Sequence, residues 1–231
     1  MYRYLFFDAD GTLFDFEQAE YQAFALMAQE MGLPIEGEHF LQYKACNASC
    51  WKEFERGTLT LDSLKTKRFE RFSAETNLPL DPVSASQSYQ HHLAAQGILF
   101  DHSLPILSTL VSRGYTLFIA TNGIADVQWG RFKKSGILPF FKEIFISEEL
   151  GCQKPDTRYF TAMLERSQLK EKKQHCLMIG DSLASDIQGA VDSGIDSLWY
   201  NPHNQALPSP LKATYTVHRL EEILNLLTKP V

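Results

Sequence analysis

Two pairs of aspartates are placed where carboxylates could do chemistry. The first lies in Phe7-Asp8-Ala9-Asp10-Gly11-Thr12-Leu13, directly after the short apolar run Tyr4–Phe7. Such a run reads as a buried strand, and alternation points Asp8 and Asp10 to the same side as the chain leaves it. Carboxylates so close repel unless positive charge stands near them. Mg²⁺ meets that need, because it takes hard oxygen ligands and is often held by one or two carboxylates plus a phosphate. A turn built on Asp10-Gly11 is the ordinary alternative. The second pair, Asp181 and Asp186, follows the apolar run Cys176–Ile179 in Gly180-Asp181-Ser182-Leu183-Ala184-Ser185-Asp186. An acid in a first helical turn explains Asp186 as a dipole partner, but leaves Asp181, at a strand end, unexplained.

Two further segments carry complementary groups. Thr121-Asn122-Gly123 ends the run Phe118–Ala120. A hydroxyl and backbone amides at a strand-to-helix turn suit a phosphate oxygen, although a helix cap uses the same residues. Lys154 stands between Gly151-Cys152-Gln153 and Pro155. A lysine in a strand-end loop can neutralise phosphate and hold carboxylates together, whereas one in isolation reads as a solvated surface group.

The elements that must position these residues follow from hydrophobic pattern. Between Phe14 and Gly97 the only β-branched aliphatic residues are Ile35 and Val83, while from Ile98 to Val217 they recur. The first region therefore reads as all-helical and the second as strand-bearing. Strands are expected at Tyr4–Phe7, Thr116–Ala120, Glu143–Ile146, Cys176–Ile179, Ser197–Tyr200 and Tyr215–Val217. Helices between them are expected at Leu104–Arg113, Ala125–Ser135, Asp156–Ser167, Ser185–Ser193 and Leu220–Leu227, with a surface loop over Asn201–Pro210. Strand–helix alternation gives an α/β, doubly wound, mostly parallel sheet with its ligand site at the carboxyl ends of the strands. Phe16–Met31, Glu38–Glu55, Leu61–Glu75 and Pro82–Gln96 carry apolar stripes, Val83 among them, that fit an inserted four-helix bundle. The expected division is a core of residues 1–15 and 98–231 and a helical domain of residues 16–97.

Composition excludes several classes. Net charge is −6 with pI near 5.6, and no basic stretch offers a footprint for a nucleic acid polymer. No run approaches the ~20 apolar residues of a membrane span. The start, Met-Tyr-Arg and then one short apolar run, lacks a secretory pattern, and Cys46, Cys50, Cys152 and Cys176 read as reduced thiols, so a cytoplasmic location is expected. Cys46 and Cys50 share a helix face, but no second Cys/His pair completes a zinc site, so they read as buried thiols. The expected partner is a small phosphorylated substrate, bound by a monomer or homodimer.

The combination of Asp-x-Asp after strand one, Thr-Asn after strand two, Lys-Pro before a helix and Gly-Asp-x-x-x-x-Asp after a later strand resembles the haloacid dehalogenase superfamily of phosphatases. The resemblance covers the whole chain, with the helical insert similar to that superfamily's four-helix cap. It implies Asp8 as nucleophile, forming an aspartyl-phosphate, and Asp10 as general acid and then base. It implies Mg²⁺ held by Asp8, the Asp10 carbonyl and Asp181, with Asp186 supporting from behind, and Thr121, the Asn122-Gly123 backbone and Lys154 on the phosphoryl oxygens. Hydrolytic dehalogenases of the superfamily lack the second aspartate of the first motif, so Asp10 favours phosphatase. Tyr43-Lys44-Ala45-Cys46-Asn47 with Trp51, Arg68-Phe69-Glu70 and Ile146-Ser147-Glu148-Glu149-Leu150-Gly151 resemble the bacterial pyrimidine 5'-nucleotidases. That likeness implies a nucleoside 5'-monophosphate phosphatase, with Asn47, Trp51 and Arg68 binding substrate. The alternatives are a sugar-phosphate or phosphoglycolate phosphatase, or a phosphoglucomutase-like transferase. A receiver domain would carry its acidic pair before a phosphorylated Asp on a later strand and no insert, and a non-catalytic binding protein would not need every catalytic residue type.

Overall fold

The computed structural model describes residues 1–34, 36–206 and 210–228. The chain divides into two compact units. One comprises Met1–Phe16, Ile98–Ala125 and the chain from Ser135 onward; the other comprises Glu17–Gly97 and Asp126–Lys134. This grouping puts Phe16 with the sheet and Asp126–Lys134 with the helices.

The first unit is built on six strands: β1 Tyr4–Phe7, β2 Thr116–Thr121, β3 Phe141–Ile146, β4 Cys176–Gly180, β5 Asp196–Tyr200 and β6 Tyr215–Val217. Their order is β3-β2-β1-β4-β5-β6 and every pairing is parallel. Both faces are covered, so the strands read as continuous apolar runs rather than alternating ones. Leu5, Phe6 and Phe7 are all fully buried. Phe6 stacks on Phe118 at 4.7 Å in a core shared with Phe145, Tyr159, Phe160 and Met178.

The second unit holds α1 Phe16–Glu30, α2 Gly37–Glu55, α3 Leu61–Thr76 and α4 Pro82–Ala94. Thr60 and Asp81 cap α3 and α4 by accepting from the amides of Ser63 and Ser84. Its core is aromatic: Phe24 stacks on Tyr43 at 4.9 Å and Tyr43 on Phe69 at 5.2 Å, with Phe72 and Tyr89 beside them. After α5 Ser103–Ser112 comes α6 Ala125–Ser135, most of which joins these helices. A Cβ on Gly130 would stand 2.7 Å from the Ala94 carbonyl oxygen, and the Arg131 Nε donates to the Gln96 carbonyl at 3.2 Å.

Two apolar helix residues lie outside, Val83 of the expected stripe among them. Val83 is 53% and Val111 44% exposed. Each falls one step off its stripe: α5 buries Ser103, Ile106, Leu107 and Leu110, and α4 buries Ala85, Ser86, Tyr89 and Leu93. The remaining helices are α7 Ser147–Leu150, α8 Thr157–Arg166, α9 Gln188–Asp192 and α10 Ile223–Leu226. The expected helix at Ser185–Ser193 instead opens early as a wide π turn, Leu183–Ile187, in which the Ile187 amide donates to the Ser182 carbonyl at 3.2 Å. The expected final helix is likewise split, a 3₁₀ turn at Leu220–Glu222 preceding α10. No regular element falls between Asn201 and Ala206, as expected of a loop; positions 207–209 of that expected loop lie outside the described residues.

Candidate active site

Asp8 is the first residue past β1. Its amide still donates to the Ile179 carbonyl at 2.8 Å, so the carboxylate leaves from a backbone fixed by the sheet. The chain then turns sharply: the Ala9 carbonyl accepts from both Leu13 and Phe14, and the Gly11 amide donates to the Phe14 carbonyl. Gly11 has a φ of +80°, and a Cβ there would lie 2.6 Å from the Asp181 Oδ2. Glycine is therefore needed twice over, for the backbone and for the approach of the second acidic motif. Asp10, half-buried, stands in this turn.

Lys154 is the hub. Its Nζ donates to Asp8 Oδ1 at 2.6 Å, Asp186 Oδ1 at 2.6 Å and the Ala120 carbonyl at 2.7 Å. An ammonium has three protons to give, and here all three are placed. The lysine is 1% exposed. Burial alone would drive off its proton, but the charges of Asp186 and Asp8 outweigh that and hold the ammonium above its ordinary value.

The acidic groups are poorer in countercharge. One carboxylate oxygen each from Asp8, Asp181 and Asp186 lie within 4.8 Å of one another. Three carboxylates against one ammonium leave a surplus of two negative charges when all are ionised. Burial pushes the Asp8 carboxyl well above the usual range, against the pull of Lys154 and with the charges of Asp186 and Asp181 adding to the rise. Burial and the neighbouring Asp186 push Asp181 up to about 7. Two contacts hold Asp181: the Thr12 hydroxyl donates to its Oδ1 at 3.1 Å, and the Trp199 indole N–H donates to its main-chain oxygen at 3.0 Å. Both oxygens of Asp186 are engaged, Oδ1 by Lys154 and Oδ2 by the Ser182 amide at 3.1 Å. Asp8 and Asp181 therefore face the surplus, with Asp186 behind them. This hard-oxygen set fits a divalent cation such as Mg²⁺.

On the neighbouring strand, Thr121 is buried and its Oγ1 accepts from the Gly123 amide at 3.2 Å. The Asn122 side chain bonds the main chain of Lys154. Residues 2–194 match the sequence model of the haloacid dehalogenase-like hydrolases. The chain belongs to that family.

Relatives of this hydrolase span its whole length. The pyrimidine 5'-nucleotidase PynA of Streptococcus pneumoniae is 36% identical over 230 residues, covering 100% of this chain and 97% of that protein. The pyrimidine 5'-nucleotidase YjjG of Escherichia coli is 30% identical over 227 residues, covering 98% of each. The solved structure of the HAD-hydrolase YfnB from Bacillus subtilis, bound to magnesium, superposes with a TM-score of 0.91 at 36% identity and covers 98% of both chains.

The hydrolase's other sequence-predicted residues lie in the helical unit. Asn47 Nδ2 donates to Glu20 Oε1 at 2.6 Å, and Arg68 Nη1 donates to Asn47 Oδ1 at 3.2 Å. Arg68 also lies over the Tyr89 ring at 4.7 Å. Burial pushes the Glu20 carboxyl up to about 7, against the Asn47 hydrogen bond and the charges of Lys44 and Arg68. Trp51 is half-buried and meets Phe54 edge-on at 5.6 Å, beside Cys50 and Leu64. Sequence reasoning passed over Thr12, Trp199 and Glu20. Glu20 carried a signal, an acid on the stripe that Phe24 and Met27 continue at helical spacing. Nothing near Trp199 in the sequence pointed to Asp181. Among the described residues, no helix is long and apolar enough to cross a membrane.

Proposed function

We propose that this hydrolase is a Mg²⁺-dependent phosphomonoesterase whose substrates are nucleoside 5'-monophosphates. The observation that carries the chemistry is the meeting of Asp8, Asp181 and Asp186 within 4.8 Å of one another, with Asp8 and Asp186 bonded to the Lys154 ammonium. Nucleotide substrates are supported by the two nucleotidases that match end to end. Bound by the carboxylates of Asp8 and Asp181 and the Asp10 main-chain carbonyl, Mg²⁺ supplies positive charge to the phosphoryl oxygens and the acidic pair.

An Asp8 carboxylate oxygen attacks phosphorus, and the bond from phosphorus to the ester oxygen breaks. Asp10 gives its proton to the departing oxygen, which leaves as an alcohol. Water then attacks the aspartyl-phosphate and gives its proton to Asp10; the phosphorus–Asp8 oxygen bond breaks, and inorganic phosphate departs. The Thr121 hydroxyl and the Asn122 and Gly123 amides hold the phosphoryl oxygens through both steps, and Lys154 turns to a phosphoryl oxygen the N–H that it gives Asp8 in the free enzyme. Residues 16–97 serve in this reading as a cap that selects the leaving group, with Asn47, Arg68 and Trp51 as its binding residues. Asp186 keeps Lys154 and the metal site in place.

The test is phosphate release from a panel of monoesters with Mg²⁺ and with EDTA. Nucleoside monophosphates should turn over fastest, EDTA should stop release, and Asp8→Asn should abolish it with the fold intact. Fast turnover of a sugar phosphate with inert nucleotides would sink the substrate assignment. Full activity in Asp8→Asn would sink the mechanism.

A further inference from the structure

The sequence places Asn122 among the phosphate-binding residues, yet its side chain is committed elsewhere. Its Oδ1 accepts the Lys154 amide at 2.8 Å, and its Nδ2 donates to the Lys154 carbonyl at 2.8 Å. One carboxamide thus satisfies both main-chain groups of one residue, the exchange that a rung of antiparallel sheet makes between two strands. It can stand only one way round, because the amide needs an acceptor and the carbonyl a donor. A second tie lies close by: Glu148 Oε2 accepts the Ala125 amide at 2.7 Å. The segment from the end of β2 to the start of α6 and the segment from α7 to Lys154 are joined at both points.

The lysine needs such a tie. Its flexible four-carbon stem permits many rotamers, and here the ammonium meets Asp8, Asp186 and the Ala120 carbonyl together from a main chain held at both its amide and its carbonyl. We propose that Asn122 is a positioning residue whose side chain acts through Lys154: it fixes the main chain from which the ammonium reaches the transferring phosphoryl group. The proposal rests on the role given to Lys154 above.

A double-mutant cycle tests it. Asn122→Ala, Lys154→Met and the double variant are assayed at saturating Mg²⁺ on two monoesters with unlike leaving groups, uridine 5'-monophosphate and p-nitrophenyl phosphate. Asn122→Ala should lower kcat about 10- to 100-fold, the scale of an ångström-level misplacement, and by the same factor on both substrates. It should cost nothing further in the Lys154→Met background, since coupled residues are non-additive. Asn122→Asp keeps the acceptor but sets an anionic oxygen against the Lys154 carbonyl, so its loss should be at least as large as that of Asn122→Ala. Multiplicative losses would overturn the proposal, as would a loss confined to KM for one substrate. Wild-type kcat in Lys154→Met would instead overturn the role of the lysine, and the proposal with it. Should Lys154→Met not fold, vanadate inhibition of Asn122→Ala decides: its Ki should rise by the factor that kcat falls, with the Mg²⁺ midpoint unmoved, and an unchanged Ki refutes the idea.

Discussion

Acid should weaken Mg²⁺ binding well before it unfolds the protein. The carboxyl of Asp181 sits at about 7 and that of Asp8 well above its usual range, both chiefly through burial. A cation can bind only the ionised forms, so below about pH 7 it must displace a proton. For a single group at about 7, moving from pH 8 to pH 6 changes the ionised fraction from roughly nine-tenths to roughly one-tenth, and Kd weakens about tenfold. Lys154 remains charged throughout and cannot offset the change. The metal-free fold has the opposite sign. The native chain holds the Asp181 proton more tightly than the unfolded chain, so stability falls as pH rises from about 4 towards about 7. Calorimetric Mg²⁺ titrations at pH 6, 7 and 8, in two buffers of unlike ionisation enthalpy, read both Kd and protons released. A Kd constant within twofold, or no proton release at pH 6, would refute the reasoning.

The helical unit has its own titration: bringing a glutamate from its ordinary ~4.3 to about 7 at about 1.4 kcal/mol per unit costs about 4 kcal/mol as pH rises across that window. Glu20→Gln should flatten the fall in Tm between pH 5 and 8, and an unchanged slope would show that Glu20 does not titrate there. Trp199→Phe keeps the ring but loses the donor to the Asp181 carbonyl. It should cost about 1 kcal/mol and weaken Mg²⁺ several-fold, read as a smaller rise in Tm on adding the metal; an equal rise would mean the bond does not steady the ligand. Gly180→Ala would put a Cβ 2.1 Å from Asp186 Oδ2. Chemical denaturation should show a loss of about 1–3 kcal/mol, where Gly37→Ala, with nothing within 4 Å, should show none.

What the sequence made legible follows from the range of the forces involved. Strands and helices were readable because periodicity and turn residues are local, and all six expected strands have counterparts in the sheet. The exceptions are local conflicts settled by the site. The segment Leu183–Ile187 winds wide because the Asp186 side chain turns back to the Ser182 amide, and π turns of this kind gather at functional sites. Thr12 could have been suspected, since it belongs to the Asp-x-Asp-Gly-Thr run. Trp199 could not, because its bond to Asp181 spans two strands and uses a main-chain acceptor that any residue offers. Asn122 was readable as a site residue, but not its partner: only the fold brings Lys154, 32 residues on, to its carboxamide.

Register explains why motifs so far apart in sequence converge. Phe7 is level with Ile119 on one side and Ile179 on the other. Asp8 therefore leaves the sheet level with Ala120 and Gly180, one residue short of Thr121 and Asp181. The Ala120 carbonyl can then join the bonds that hold the ammonium, and Gly180 leaves the space that Asp186 fills. Side chains alternate along a strand, so slipping β1 by one residue would turn Asp8 to the other face and take Leu5, Phe6 and Phe7 out of the packing each fills. The three fully buried residues before Asp8 oppose that slip. The apolar run that builds the strand thus also fixes where the carboxylate stands, and stability and chemistry constrain the same residues.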